Sequence, residues 1–396
     1  MPPAVATLDV GKTRSKLAAW TLEGWSIARF VRDNPVRRTG GLRRLDIEGI
    51  EAWLFASLAE LARQTQIVAI APAAHGAAAV LMRGASPILA LDYEQPPPAD
   101  IAFAYEVLRD PFEATLSPRL SGGLNLGLQL YWLESLFPGL WPDAAEVLLW
   151  PQYWAWRLCG ERACETTSLG CHSDLWRPLE RRFSNLAEHR GWSSRLGPIR
   201  RADAILGSIR PDLAVELGLP RHCRICCGIH DTNAALHAAR ALLGLENQAF
   251  SLVSTGTWFV CLSVGSRMPA CYDPAGAAMA NVDIFGEPTP TARFMGGRDY
   301  ERSIGAGPDA EADLARRTLA ALEAIGAEGP IVVEGRFASD DAFIEALARL
   351  DPDREVRAFP RADGVALGAL RLAVPDLPCS AFTAPEPLYG SRGASR

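Results

Sequence analysis

Ala4-Val5-Ala6-Thr7-Leu8-Asp9-Val10-Gly11-Lys12-Thr13-Arg14-Ser15-Lys16-Leu17-Ala18-Ala19-Trp20 is the stretch on which the reading of the fold turns. An apolar, β-prone run ends in an aspartate. A tight turn of glycine, hydroxyl and cationic side chains follows, and a second apolar run leaves it. The same plan returns in the other half of the chain: Phe250 opens a strand, Ser254-Thr255-Gly256-Thr257 is the turn, and Trp258 begins the next strand. Two strand–turn–strand units half a chain apart are too widely spaced for a solenoid and predict a duplicated architecture, each copy aiming its turn at a shared centre.

Outward from the first turn, residues 25–31 read as a third strand after Glu23-Gly24. Leu54, Leu58 and Leu61 fall at helical spacing in residues 50–63, and residues 67–74 are a continuous apolar run of strand length. The order is β-β-β-α-β. Pro96-Pro97-Pro98 marks a loop, because proline continues neither a helix interior nor a central strand. Residues 127–136 and 150–158 read as helices whose leucines and tryptophans pack a core. The last third alternates: a helix over 313–325, a strand over 331–333, a helix running to Leu350 that Ser339 or Asp340 caps, and a final helix over 364–374.

A chain of 396 residues exceeds one ordinary domain, and the duplication divides it into 1–231 and 232–396 with a cleft between. With 48% hydrophobic and 22% charged residues the composition is globular, and a net charge of -6 offers no attraction to a phosphate backbone, so nucleic acid is excluded as a partner. Asp9, Lys12, Arg14 and Lys16 interrupt any secretory apolar core, and no uncharged run is long enough to span a bilayer; a cytoplasmic protein without membrane contact is expected. Nine cysteines, an odd count, point to reduced thiols. Cys223, Cys226 and Cys227 beside His222 have half the spacing of a zinc or redox site but no second matched pair, so they read as buried thiols.

Three segments carry chemistry. Asp9-Val10-Gly11-Lys12-Thr13, with Lys16 beyond, presents backbone N–H groups and a carboxylate that suit Mg²⁺ and phosphate oxygens. A Walker A loop is ruled out, because Ala6 stands where its first glycine is needed and lies inside the strand. The alternative is a plain hairpin turn. Ser254-Thr255-Gly256-Thr257 supplies a second hydroxyl-rich turn from the opposite side. Gly228-Ile229-His230-Asp231 ends at a helix start, where a carboxylate either caps the helix or accepts a proton from a hydroxyl attacking a phosphate.

In their order, these residues resemble the FGGY carbohydrate kinases of the actin-like ATPase superfamily. The resemblance runs along most of the chain, through His75-Gly76-Ala77, Leu91-Asp92-Tyr93-Glu94, Glu165-Thr166-Thr167-Ser168 and Gly296-Gly297-Arg298-Asp299-Tyr300-Glu301 as well as the three segments above. It implies an α/β, two-domain actin-like (ribonuclease H-like) fold with duplicated β-β-β-α-β units and an interdomain cleft. It also implies ATP and Mg²⁺ as cofactors and a small sugar as partner, with L-fuculose or L-rhamnulose and related ketoses the closest subgroup, and a possible homodimer. By the same resemblance Asp231 is the catalytic base, Asp9 and Asp231 attend the metal, and His75, Gly76, Asp92, Glu94, His230 and Asp231 surround the sugar. Asp9, Gly11, Lys12, Thr13, Lys16, Ser254, Thr255, Gly256, Thr257, Gly335 and Arg336 are the expected nucleotide contacts. The chain departs from the family where Val333-Glu334-Gly335-Arg336-Phe337 replaces a glycine triplet and where Lys12 replaces a small residue. Two rival readings share the motifs: a non-catalytic sugar or nucleotide sensor, and an actin-like ATPase that acts on protein partners. The second leaves His75 and the His230-Asp231 pair without a role.

Overall fold

The computed structural model describes residues 1–141, 145–242, 244–245, 248–266, 278–303, 310–359 and 363–377. The opening strands form as the alternation of apolar and turn residues requires: β1 (Pro3–Val10), β2 (Arg14–Thr21) and β3 (Ser26–Asp33), followed by α1 (Ile47–Gln64) and β4 (Gln66–Ala74). Asp46 caps α1 by accepting from the Gly49 N–H, and Leu54, Leu58 and Leu61 are buried along the predicted stripe. Three later strands, β5 (Ile205–Ser208), β6 (Arg224–Cys226) and β7 (Ile229–His230), complete a seven-stranded sheet in the order β5-β6-β4-β1-β2-β3, with β7 also paired to β4.

The second half repeats this plan. After α2 (Asp231–Leu242) come β8 (Phe250–Thr255), β9 (Phe259–Val264), β10 (Ala278–Val282) and β11 (Pro288–Phe294), then α3 (Gly296–Ser303), α4 (Ala310–Ala324), β12 (Ile331–Gly335), α5 (Asp341–Leu350), β13 (Val356–Ala358) and α6 (Gly364–Ala373). The sheet order is β10-β11-β9-β8-β12-β13. In each half a central strand, β1 or β8, has antiparallel neighbours on one side and parallel ones on the other. The structural counterpart of β3 is β11, since each pairs antiparallel with the second strand of its unit. The counterpart pattern leaves β10 over, an added strand at the edge of the second sheet.

Between the sheets lie α2 and α6. Val5 and Trp20 from the first sheet, Leu236 and Ala239 from α2, Leu252 and Leu262 from the second sheet, and Leu367 and Leu370 from α6 form one apolar cluster. The helices cross closely because residue 368 is glycine: a Cβ there would stand 1.8 Å from the Ala234 carbonyl oxygen. Trp150, Tyr153 and Trp154, on the helix Trp150–Cys159, are fully buried under the first sheet, as the aromatic-rich segment predicted.

Candidate active site

Pairing register delivers the sequence motifs to one place. In the first sheet Val10 lies opposite Ala74, and Ala74 opposite His230, so three parallel strands end level with one another. The turn after Val10, His75 after β4 and Asp231 after β7 therefore leave the carboxyl edge together, the edge at which open α/β sheets bind ligands. In the second sheet Thr255 ends β8 opposite Gly335 of β12. Gly335 has φ +84°, and a Cβ on it would sit 2.3 Å from the Thr255 carbonyl oxygen, so only glycine lets the two strand ends approach.

A cleft of about 270 Å³ opens where these edges face each other. Lys12 and Thr13 of the first turn line it, with His75, Gly76, Glu94, His230, Asp231 and the whole second turn, Ser254, Thr255, Gly256 and Thr257. The two turns and Asp231 thus share one cavity.

Asp231 is the first residue of α2. Its Oδ1 accepts from the Thr232 N–H at 2.6 Å and the Thr232 hydroxyl at 3.2 Å, and lies 3.3 Å from His230 Nε2. Among the described residues nothing bonds Oδ2, which is left to the cleft. Burial raises the Asp231 pKa above the ordinary aspartate value, a tendency that His75 and Thr232 oppose. His230 is held from three sides: its N–H donates to the Thr167 hydroxyl at 3.0 Å, Nδ1 faces Asn233 Nδ2 at 3.1 Å, and Nε2 lies 3.3 Å from Cys171 Sγ. With a carboxylate oxygen beside Nε2 the proton belongs on that nitrogen, and Asn233 then donates to Nδ1. Burial lowers His230 and His75 to about 4 and His172 to about 3, so all three imidazoles are neutral at pH 7. Glu165, pushed up to about 7 by burial, accepts from the Thr167 N–H and hydroxyl and so braces the residue that holds His230.

Beside the cleft stands a cluster of acids around one cation. Lys16 Nζ is 3.3 Å from Asp9 Oδ2. Burial raises the Asp9 pKa, Lys16 lowers it, and the charge of Asp231 raises it further. Glu334, pushed up to about 7 by burial, accepts from the Ser254 hydroxyl and feels Lys16, Asp231 and Asp9. Carboxylates that repel one another beside the first turn fit Mg²⁺, which takes one or two protein carboxylates and completes its shell with other oxygens and water. Consistent with such a sparse donor set, the described residues contain no ready-made group of three His, Cys, Asp or Glu ligands.

Other predicted residues stand off the cleft wall. Asp92 has no exposed side chain; it pairs with Lys12 Nζ at 2.9 Å and with Arg43 at 3.1 Å, which makes it an anchor for Lys12 instead of a group facing the sugar. Lys12 is thereby drawn toward Asp92 and lies 5.5 Å from the Tyr93 ring centroid. Gly11 shapes the turn and gives its carbonyl to Asn34. Arg336 turns outward to Glu301 at 2.5 Å, away from the cavity, because β12 ends one residue before it. Cys223 and Cys226 are buried thiols pushed up to about 12, and Cys227 is raised as well.

The sequence reading did not single out several wall residues: Tyr93, Cys171, His172, Trp258, Asn281, Thr291 and Arg293. The last three share a face of the β10–β11 hairpin, since Thr289, Thr291 and Arg293 alternate along β11 and Asn281 lies opposite Thr289. The alternation of polar with apolar residues over 289–294 is the signal that could have found them. The two prolines, Pro288 and Pro290, obscured it.

Comparison with known proteins agrees with this geometry. Residues 247–320 and 310–381 match the family described as carbohydrate kinase FGGY, C-terminal domain. The crystal structure of a carbohydrate kinase from Novosphingobium aromaticivorans is 35% identical and superposes with a TM-score of 0.85, covering 94% of each chain. The L-fuculokinase of Salmonella typhi is 32% identical over 163 residues, which is 39% of this chain and only 33% of that protein. The xylulose kinase of Rhodospirillum rubrum, 17% identical, shares the fold with a TM-score of 0.76 over 96% of this chain and 92% of its own.

Proposed function

Because this chain belongs to the FGGY carbohydrate kinases, we propose that it transfers the γ-phosphoryl group of ATP to a hydroxyl of a ketose or deoxy-ketose such as L-fuculose or L-rhamnulose. The partial likeness to an L-fuculokinase supports the sugar class. The observation that carries the reading is the unbonded Oδ2 of Asp231 in the same cleft as both hydroxyl-rich turns.

In this reading the sugar oxygen attacks the γ-phosphorus, its proton passes to Asp231 Oδ2, and ADP leaves. In a loose transition state the proton moves late, so positioning carries most of the rate. Thr232 and His230 fix the carboxylate by its other oxygen, which keeps Oδ2 aimed and costs no reorganisation during transfer. Thr13 and Ser254 to Thr257 offer donors to the phosphate oxygens from opposite walls. Asp9 would hold Mg²⁺, which supplies neutralising charge to the phosphates when bound; Asp231, also expected at the metal, has one oxygen on Thr232 and His230 and gives the other to the sugar proton. Gly335 serves indirectly, by letting β12 approach the second turn. Facing walls from two halves of the chain also keep water from competing with the sugar.

Replacement of Asp231 by Asn tests the assignment. Turnover in a coupled ADP-release assay should fall about 10²–10⁴-fold, with sugar affinity by calorimetry little changed. Turnover close to wild type would remove Asp231 as the base. A wild-type protein that binds ketose and ATP without releasing ADP would instead be a sensor.

A further inference from the structure

Among the described residues Arg293 is a cation with no anion beside it. Its guanidinium carbon lies 4.7 Å from the centre of the Trp258 ring, and it lines the cleft. Among the described residues it makes no hydrogen bond and no ion pair. The acids nearest to it are engaged elsewhere: Glu94 by Arg43 at 2.9 Å and Arg298 at 3.2 Å, Asp231 by Thr232 and His230. Burial lowers the Arg293 pKa, and only Cys171 and Tyr93 oppose that tendency. Tyr93 and Cys171 feel both Arg293 and Asp231, so the guanidinium and the base act on the same cleft from different walls. Beside it on the hairpin, the buried Asn281 side-chain oxygen also lacks a partner.

A half-buried guanidinium in a cleft, without a counter-charge among the described residues, is one that a bound molecule can complete. The terminal methyl of a deoxy-ketose would leave it unpaired, and a hydroxyl would satisfy part of it. A carboxylate meets the planar fork with two charge-assisted hydrogen bonds. Resting on the ketose-kinase reading above, the geometry points to Arg293 as the specificity-determining residue for an acceptor ketose that carries a carboxylate in addition to the phosphorylated hydroxyl. Trp258 holds the guanidinium flat for that contact, and the added strand β10 brings Asn281 beside it to donate or accept at the neighbouring carbon.

The test uses the full-length protein with MgATP and matched pairs of acceptors, each a ketohexose, its terminal deoxy analogue and the same ketose oxidised to the terminal carboxylate. Wild type should phosphorylate the carboxylate member with a kcat/KM at least ~10-fold above its neutral counterparts. Arg293→Gln should lower that ratio about 10²-fold, chiefly through the KM for sugar, and Arg293→Lys should restore part of it without the two-pronged contact. Equal or better turnover of the neutral or deoxy members by wild type overturns the carboxylate proposal and leaves the kinase standing. A rise in KM for ATP instead of sugar in Arg293→Gln also overturns it, placing the guanidinium at the phosphates. No phosphorylation of any member sinks both readings. Should Arg293→Gln fail to fold, the wild-type ratio and Arg293→Lys decide alone.

Discussion

The two walls of the cleft follow opposite rules. Around the base, His230 is bonded through its backbone N–H and both ring nitrogens, and Asp231 is anchored through one oxygen. On the facing wall Arg293 has, among the described residues, only an aromatic face against it, and Asn281 keeps an unsatisfied buried oxygen. Polar groups satisfied before the ligand arrives fix geometry for the transition state; polar groups that only the ligand can satisfy discriminate among ligands. In the proposed reading, rate and selectivity therefore fall to different walls, one from each half of the duplication.

The comparison breaks most visibly at Asn233. Asn233→Leu removes the donor to His230 Nδ1, frees the ring to carry its proton there, and turns an Nε2 lone pair toward the Asp231 carboxylate. Turnover should fall about 10²-fold with the sugar KM held, by steady-state kinetics, as expected when an imidazole takes the wrong tautomer. A loss in KM instead would mean that Asn233 belongs to the selecting wall. Asn281→Leu should do the converse, raising the sugar KM ~10-fold and leaving kcat within about twofold.

The smallest effect is on stability, and it sharpens the comparison in another way. Glu165 supports the reacting wall and Glu334 the second turn, and burial pushes each up to about 7 from an unfolded value of 4.5. An acid whose pKa is raised on folding stabilises the fold fully below its unfolded pKa, and that contribution is lost as pH rises through the folded value. The melting temperature of the ligand-free protein should therefore drop by a few degrees between about pH 5 and pH 8, and Glu165→Gln or Glu334→Gln should each flatten part of the drop in calorimetry. A profile unchanged by both replacements would show that neither carboxyl is neutral in the folded state.

Much of this molecule can be read without coordinates, and the reasons are local. The strand–Asp–turn–strand pattern at Asp9 and its echo at Ser254 depend on alternation and turn chemistry within a few residues, and the structure places both turns on one cavity. Asp231 follows from a short strand running into an alanine-rich helix. What escaped is what register decides. Arg293 and Asn281 are ten or more positions apart, and only the antiparallel pairing of β10 with β11 sets them on one face. Arg336 misled because it adjoins Gly335, yet a single step past the strand end turns its side chain outward to Glu301. Asp92 sits in a segment that resembles the sugar-binding motif, but the neighbouring Arg43 and the unusual Lys12 engage its oxygens.

The helix that begins with Asp231 also reaches the selecting hairpin. Near its last turn Arg240 is buried and forms an ion pair with Asp283, whose other oxygen accepts from the N–H groups of Phe285 and Glu287 in the turn joining β10 to β11. The nine rises from Asp231 to Arg240 make a rod ~14 Å long, with Asp231 at its tip and the β10–β11 hairpin fastened to its heel. One buried ion pair thus ties the position of the hairpin to that of the helix whose first residue is Asp231.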